Sequence, residues 1–228
     1  MGCRILFITG TDTGVGKTVL TSLLTRHLRE RGLAVAALKP ICSGGRADAR
    51  VLHSSIGGEL ALDEINPWHF RASLTPLLAA RRERRRIKLE DVLAHVQGIQ
   101  RRFELVLVEG AGGLLSPLGE DFNARDLIIA LHAAPIIVCP NRLGVVNHTL
   151  LTDEALPRAL SRRAAVVLMS PRRRDLASRT NARLLAGILG RNRVHEFPWL
   201  PVPRDSARAL ASAGVRQVLE ALHAGRNG

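Results

Sequence analysis

Short apolar runs alternate with longer segments of helical period along most of the chain. The apolar runs predict six β-strands, at Ile5–Thr9, Ala34–Lys39, Leu105–Glu109, Ile136–Cys139, Ala165–Met169 and Val194–Phe197. Segments with apolar residues at helical spacing predict helices at Thr18–Arg31, Leu89–Arg101, Ala124–His132, Asn147–Leu160, Leu176–Leu189 and Ser206–Ala224. Continuous apolar strands separated by helices are typical of a parallel sheet that is covered on both faces.

We therefore predict an α/β fold with a doubly wound, mostly parallel sheet and helices on both of its faces. No internal repeat, low-complexity tract or linker divides the 228 residues, so we expect one domain over residues 1–228. Ligands of such sheets bind beyond the carboxyl ends of the strands. The loops that follow the strands should therefore contain the functional residues.

A glycine-rich loop, Gly10–Thr18, follows the first predicted strand and has the sequence GTDTGVGKT. Glycines let backbone N–H groups turn toward phosphate oxygens, and the next helix presents its positive end. Lys17 can reach the β- and γ-phosphates of a nucleotide, and the Thr18 hydroxyl can bind Mg²⁺. The loop is one residue longer than the common pattern, but its position between a strand and a helix supports a P-loop NTPase-like nucleotide site.

Two other predicted strands end in charged residues. Lys39 ends the second strand before Pro40 and a glycine-containing loop; an ordinary surface lysine is the alternative interpretation. Glu109 ends the third strand before GAGG, and one or two carboxylates suit Mg²⁺ when phosphate oxygens and water complete its ligands. A capping or salt-bridged glutamate is the alternative for Glu109. Asp48 is either a second metal carboxylate or a helix N-cap, and its local sequence alone favours the cap.

A further helix start follows the fourth predicted strand, at Gly144–Thr149. Free N–H groups at a helix N-terminus can hold an anionic group of a ligand. A lone histidine such as His148 is more often structural than catalytic. The chain contains no serine–histidine–aspartate order and no pair of histidines at metal-ligand spacing.

Composition excludes several classes of protein. No apolar stretch approaches the roughly 20 residues that a membrane span needs, and the run Ile5–Ile8 is too short for a signal-peptide core. Cys3, Cys42 and Cys139 are scattered along the chain, which is typical of reduced thiols in a cytoplasmic protein. We therefore expect a cytoplasmic location and no membrane partner.

The net charge of +13 raises the question of nucleic-acid binding. The arginines form separate short runs, aromatic residues are 3% of the chain and tyrosine is absent, so no platform for stacking bases is present in the sequence. We expect solvated surfaces and no nucleic-acid partner. Lysine occurs only at Lys17, Lys39 and Lys88, and two of these three belong to the segments described above.

Taken together, these segments resemble the dethiobiotin synthase family. The resemblance runs from residue 5 to about residue 200. It is carried by Gly10–Thr18, Lys39-Pro40 with Ser43-Gly44, Asn66-Pro67 with Phe70, Val108–Gly113, Pro117-Leu118, Asn147–Thr152 and Pro198–Leu200. The phosphate loop is shared with many other proteins, whereas its combination with Lys39-Pro40 and Glu109–Gly113 is much more specific.

The resemblance implies a homodimeric enzyme of biotin synthesis that uses 7,8-diaminononanoate, CO₂, ATP and Mg²⁺. It also implies a carbamate and a carbamic–phosphoric anhydride on the way to the ureido ring. By the same resemblance, Lys17 and Lys39 are catalytic and Thr18, Asp48 and Glu109 hold Mg²⁺. Substrate contacts are assigned to Thr13, Ser43 and, from the partner subunit, Gly144, Val145 and Asn147. The nucleotide and its metal are assigned to Gly14, Val15, Gly16, Lys17, Thr18, Val19, Asp48, Glu109, Gly110, Ala111, Gly112, Pro198, Trp199 and Leu200.

One departure concerns the nucleotide base. The family usually has an asparagine after the fifth strand, where this chain has Met169-Ser170-Pro171. Two other classes are alternatives: a ParA/MinD-like nucleotide switch, and an amide-forming ligase of the cobyrinate synthase group. Such switches carry a lysine early in the phosphate loop, where this chain has Asp12. The amide ligases need a glutaminase, and the chain contains no candidate cysteine for one.

Overall fold

A computed structural model describes residues 4–201 and 206–224. Its strands are β1 (Arg4–Gly10), β2 (Val35–Leu38), β3 (Ile41–Ser43), β4 (Trp68–Phe70), β5 (Leu105–Glu109), β6 (Ala134–Pro140), β7 (Ala165–Met169) and β8 (Val194–Phe197). Six of them form one sheet in the order β2-β5-β1-β6-β7-β8, and every pair in it is parallel. The short strands β3 and β4 pair in a separate parallel sheet.

Helices connect and cover these strands. They are α1 (Lys17–Glu30), α2 (Ala47–Ser55), α3 (Leu62–Ile65), α4 (Pro76–Arg82), α5 (Leu89–Gln100), α6 (Ala124–Ala130), α7 (Val145–Glu154), α8 (Arg158–Ser161), α9 (Leu176–Leu189), α10 (Ser206–Ala211) and α11 (Ala213–Ala224). A 3₁₀-helix spans Arg191–Arg193. None of the helices in the described ranges is long and apolar enough to cross a membrane.

The prediction of a doubly wound parallel sheet is confirmed by the alternation of side chains along the strands. In β1, Ile5 and Phe7 belong to one buried cluster, whereas Leu6 and Ile8 belong to another on the opposite face. Successive side chains of a strand point to opposite faces, so a sheet with buried apolar side chains on both faces must be covered twice. Helices α1, α10 and α11 contribute to one cluster, and α2, α5, α6 and α9 contribute to the other.

All six predicted strands are present, but two predicted helices are wrong as single elements. The segment Asn147–Leu160 is divided into α7 and α8, because Pro157 lacks an N–H and stands at the N-cap of α8. The segment Ser206–Ala224 is divided into α10 and α11. There the Arg216 guanidinium donates to the carbonyls of Leu210 and Ala211, at 2.8 and 2.9 Å, and so binds the last free carbonyls of α10.

The cysteines have the environment of reduced thiols. Cys42 and Cys139 are free and buried, and Cys3 lies outside the described residues. Burial raises the pKa of the Cys139 thiol to about 12, which keeps it protonated at neutral pH.

A buried asparagine fixes the chain after β2. Asn66 follows α3 and its side-chain amide donates to the Lys39 carbonyl at 2.7 Å. Its side-chain oxygen accepts hydrogen bonds from the Cys42 thiol at 3.1 Å and from Arg46 Nε at 3.2 Å. The Lys39 N–H in turn donates to the carbonyl of Ile65, beside Asn66, at 3.0 Å. The backbone around Lys39 is therefore held by several hydrogen bonds that all involve Asn66 or its neighbour.

We expect Asn66→Ala to lower the free energy of unfolding by about 2–3 kcal/mol, because it leaves the buried Lys39 carbonyl without a donor. Urea unfolding measures the change. Asn192→Ala, at an exposed asparagine, is the control and should change stability by less than about 0.5 kcal/mol. Equal losses in the two variants would contradict a bracing role for Asn66.

Candidate functional site

A cleft of about 650 Å³ lies beyond the carboxyl ends of β1, β2 and β5. Its lining includes twelve of the residues predicted from the sequence, which are Thr13, Gly14, Gly16, Lys17, Thr18, Val19, Lys39, Ser43, Asp48, Glu109, Ala111 and Gly112. Three separate loops therefore meet at one place, as the parallel sheet predicts.

The phosphate loop has a conformation that requires glycine. Gly14 and Gly16 have φ angles of 71° and 101°, in the left-handed region. Gly16 is also the N-cap of α1, and a Cβ atom on it would lie 3.0 Å from the Cε atom of Met169. Val15 lies between them with its side chain buried in the core, which anchors the loop. The free N–H groups of the first turn of α1 can thus bind phosphate oxygens.

Lys17 joins the loop after β1 to the loop after β5. Its ammonium donates to the carbonyls of Asp12 at 2.7 Å and Gly112 at 2.8 Å. Burial, together with the positive charge of Lys39, lowers the pKa of Lys17 to about 8. The ammonium is therefore placed at the phosphate loop, with neutral carbonyls as its direct partners.

Lys39 lies between two carboxylates. Its ammonium donates to Asp48 Oδ2 and to Glu109 Oε1, at 2.6 Å in each case. Burial alone would lower the pKa of Lys39, but the charges of Glu109 and Asp48 outweigh it and raise this pKa above the ordinary value. Lys39 is 5% exposed, so the interpretation of it as a surface lysine is wrong.

Glu109 is buried at the end of β5 and accepts a second hydrogen bond. The Thr18 hydroxyl donates to Glu109 Oε1 at 2.7 Å, beside the ammonium of Lys39. The other oxygen, Glu109 Oε2, is buried and has no hydrogen-bond partner among the residues that the structure describes. A buried carboxylate oxygen without a donor is costly unless a cation or a donor reaches it. Glu109 is thus salt-bridged, as one interpretation of its sequence predicted, and retains an acceptor for a further cation.

Asp48 lies in the first turn of α2, and the N-cap of that helix is Arg46. The N-cap interpretation of Asp48 is therefore wrong. Burial would raise the pKa of Asp48, but the Lys39 ammonium and its hydrogen bond hold this pKa below its usual value. The Asp48 side chain is half exposed toward the cleft.

The oxygen atoms of Thr18, Asp48 and Glu109 are ligands of the kind that Mg²⁺ prefers. Asp48 and Glu109 both contact the Lys39 ammonium, the Thr18 hydroxyl donates to Glu109 Oε1, and Glu109 Oε2 has no hydrogen-bond partner in the described part of the chain. Within the described ranges, no three His, Cys, Asp or Glu side chains are grouped to hold a metal ion. An ion bound here would take its other ligands from phosphate and water, which is how Mg²⁺ usually binds at nucleotide sites.

One wall of the cleft was not predicted. The segment Ser73–Pro76 and the residues Cys42, Gly44 and Ser116 also line it. The Ser43 hydroxyl donates to the carbonyl of Leu74 at 2.6 Å, which joins this wall to a predicted substrate residue. Its one local signal is the Thr75-Pro76 pair, since proline at N1 starts the helix α4.

The predicted base-binding residues lie outside this cleft. Pro198 lines a second cleft of about 400 Å³ together with Ser170. The Ser170 N–H already donates to the carbonyl of Phe197 at 2.9 Å. Trp199 is 42% exposed, and the guanidinium carbon of Arg172 lies 5.6 Å from the centre of its ring. Arg174, His195, Glu196 and Gln217 also line the second cleft, and the side chains of Arg174 and Glu196 already pair with each other at 2.6 Å.

Three predicted substrate residues also lie away from the cleft, near the start of α7. Gly144 is the N-cap with φ 88°, Val145 is buried, and Asn147 is exposed. None of these residues lines the cleft of its own chain. Exposed leucines flank them, since Leu143 is 84% and Leu151 62% exposed.

We expect Gly16→Ala to weaken nucleotide binding by about tenfold or more, because alanine disfavours φ near 101° and its methyl group would press on Met169. Calorimetric titration with an ATP analogue measures the change. Gly98→Ala is the control, since Gly98 lies in α5 with open space around it and should gain up to about 1 kcal/mol of stability. Unchanged nucleotide affinity in Gly16→Ala would show that phosphates bind elsewhere.

Comparison with known proteins gives relatives in both sequence and structure. A family model described as an AAA domain matches residues 4–205. The ATP-dependent dethiobiotin synthetase BioD of Anaeromyxobacter dehalogenans (strain 2CP-C) is 41% identical over 214 residues, 92% of this chain and 96% of that protein. The enzyme of the same name from Bacillus licheniformis is 42% identical over 153 residues, 65% of each chain.

Two solved structures share the fold. A ParA family ATPase from Chlorobium tepidum TLS has a TM-score of 0.61 at 13% identity, covering 99% of both chains. The MinC:MinD cell division complex of Aquifex aeolicus has a TM-score of 0.62 at 15% identity, covering 97% of this chain and 95% of that one. At these identities the likeness concerns the fold alone. Because the Anaeromyxobacter dehalogenans protein is 41% identical to this chain over 96% of its own length, the chain belongs to the family of ATP-dependent dethiobiotin synthetases.

Proposed function

We propose that this chain is a dethiobiotin synthetase that uses Mg²⁺ and ATP to join CO₂ to 7,8-diaminononanoate and close a cyclic urea. The observation that carries the proposal is the meeting of the phosphate loop, Lys39, Asp48 and Glu109 in one cleft, in a chain of this family. The described residues are built around one six-stranded sheet, which supports one ligase domain over residues 1–228.

Phosphoryl transfer depends on positioning and on neutralising charge. We assign the β- and γ-phosphates to the N–H groups of Gly14–Thr18 and to the ammonium of Lys17. Thr18, Asp48 and Glu109 would hold Mg²⁺, which neutralises charge on the phosphate oxygens. These three side chains are already within hydrogen-bond distance of one another or of Lys39.

The remaining steps concern the diamine. One amine attacks CO₂ and loses a proton, which gives a carbamate. A carbamate oxygen then attacks the γ-phosphorus and ADP leaves, and the second amine attacks the carbonyl carbon and displaces phosphate. The charged ammonium of Lys39 would stabilise the carbamate and the transferring oxygens, because burial makes its charge effective. Thr13 and Ser43 line the same cleft and would contact the substrate.

The proposal includes a homodimer. Leu143, Leu151 and Leu115 are exposed apolar side chains, and Leu115 and Leu151 line one shallow cleft. Exposed apolar groups clustered on one face are typical of a protein contact. A second copy bound there would bring the N–H groups of Gly144–Thr149 toward the substrate carboxylate in the neighbouring cleft.

We expect ATP consumption to require both the diamine and bicarbonate, with one dethiobiotin formed per phosphate released, as read by mass spectrometry. Lys39→Ala should lower kcat by about 10²-fold or more, and Lys39→Arg should not restore it. Lys88→Ala, at an exposed lysine, is the matched control and should retain activity. ATP hydrolysis that ignores the diamine would count against the proposed reaction.

We also expect weak discrimination among ATP, GTP and CTP, because Met169 and Pro171 offer no good partners to a base edge and Ser170 has its N–H occupied. Each missing hydrogen bond should cost about 1 kcal/mol of selectivity. Comparison of kcat/KM for the three nucleotides measures it, with Met169→Asn as the variant that should raise the preference for ATP. A preference for ATP above roughly a hundredfold in the unchanged protein would refute this.

Replacement of Leu151 by arginine should weaken the dimer by about tenfold or more and raise KM for the diamine, while nucleotide affinity stays unchanged. Sedimentation across a concentration series measures the association. Ile129→Arg, at an exposed isoleucine of α6, is the control and should leave the dimer intact. A monomeric parent protein with normal turnover would rule out the shared site.

A further inference from the structure

The ammonium of Lys39 lies where a metal ion would bind. It contacts Asp48 Oδ2 and Glu109 Oε1 at 2.6 Å each, and these are the two carboxylates assigned to Mg²⁺. The Thr18 hydroxyl, the third assigned metal ligand, donates to the same Glu109 oxygen at 2.7 Å. Two of the three assigned metal ligands therefore contact the Lys39 ammonium directly, and the third contacts it through Glu109.

We propose that Lys39 acts as an internal cation that keeps Mg²⁺ from binding tightly until a nucleotide is present. This inference rests on the magnesium site of the proposed function and adds a second role for Lys39, before any chemistry takes place. Metal and nucleotide would then enter together, and the ammonium would turn from the carboxylates to the phosphate and carbamate oxygens.

A metal ion on Asp48 Oδ2 or Glu109 Oε1 would compete with the Lys39 ammonium, which contacts both oxygens. Glu109 Oε1 accepts hydrogen bonds from both Lys39 and Thr18, so a metal ion on that oxygen must displace at least the ammonium. A divalent ion within a few ångströms of an ammonium is strongly repelled, and Glu109 is fully buried, which weakens screening by water. Lysine suits this exchange because its charge is compact and its stem is flexible.

The charges of the cleft lead to the same conclusion. Its four charged lining residues are Lys17, Lys39, Asp48 and Glu109, so the formal charges cancel. Mg²⁺ alone would add two positive charges to a balanced set. A Mg²⁺–ATP complex brings net negative charge, which both ammonium groups can face while the carboxylates face the metal. The charge balance thus favours the complex over the free ion.

The buried position of Glu109 gives the arrangement a structural reason. A carboxylate without a neighbouring cation is costly in a protein interior. Lys39 supplies that cation, while Glu109 Oε2 remains buried and without a hydrogen-bond donor. The pair is therefore stable as it stands and still retains an oxygen that a metal ion can use.

The test measures Mn²⁺ binding by electron paramagnetic resonance, without nucleotide and with a non-hydrolysable ATP analogue. We expect the parent protein to bind Mn²⁺ weakly alone and tightly with the analogue. Lys39→Met should raise the nucleotide-free Mn²⁺ affinity by about tenfold or more, since it removes a competing charge. Lys39→Arg keeps a cation and should bind Mn²⁺ without nucleotide as weakly as the parent protein does. The double variant Lys39→Met, Asp48→Asn should not show the higher Mn²⁺ affinity of Lys39→Met.

Equal nucleotide-free affinity in the parent and in folded Lys39→Met would overturn the proposal. If Lys39→Met unfolds in chelator, recovery of its melting temperature by millimolar Mg²⁺ supports the proposal. The proposal is overturned if Mg²⁺ does not restore the melting temperature of Lys39→Met although the double variant Lys39→Met, Glu109→Gln folds. The magnesium site itself is tested separately, because Asp48→Asn and Glu109→Gln should each weaken Mn²⁺ binding in the presence of the analogue. If neither does, the proposed metal ligands are wrong whatever the role of Lys39.

Discussion

The ion pair between Lys39 and Glu109 is the interaction on which the cleft depends. Neither charge would be tolerated alone at its depth, because Lys39 is 5% and Glu109 1% exposed. Parallel pairing brings them together: Leu38 of β2 is in register with Val108 of β5, so the next residues of both strands lie side by side at the sheet edge. The hydrogen bonds of Asn66 then hold the Lys39 backbone in place. Fold and site are thus joined through adjacent strand ends.

The same sheet serves proteins of different function. A ParA family ATPase and a MinD complex share the overall fold at 13% and 15% identity, although this chain belongs to another family. In this chain, the loops beyond the strands place a second lysine and two carboxylates beside the phosphate loop. A fold supplies strand ends in fixed positions, and the residues placed there determine the chemistry.

The sequence predicted the parts of the site that follow strands of the six-stranded sheet. The bounds of β5 and β7 agree with the apolar runs, because parallel strands that are buried along most of their length leave a continuous apolar signal. The bounds of β8 also agree, although it lies at the sheet edge and only Phe197 of it is buried. The meeting of Lys39 and Glu109 follows from the same reasoning. The positions of Asp48 and of the Ser73–Pro76 wall were harder to predict from the sequence, because they depend on the pairing of β3 with β4, two strands of three residues each. Such short strands have no recognisable period, and long-range packing decides where they lie.

The central claim is that a carbamate oxygen attacks the γ-phosphate in this cleft, and an oxygen-18 label tests it most directly. The protein is mixed rapidly with ATP, Mg²⁺, the diamine and freshly dissolved, labelled CO₂, and the released phosphate is analysed by mass spectrometry. The account predicts one labelled oxygen in each phosphate, because the attacking oxygen leaves with phosphorus when the ring closes. Released phosphate that contains no labelled oxygen, although dethiobiotin forms at the normal rate, would contradict it.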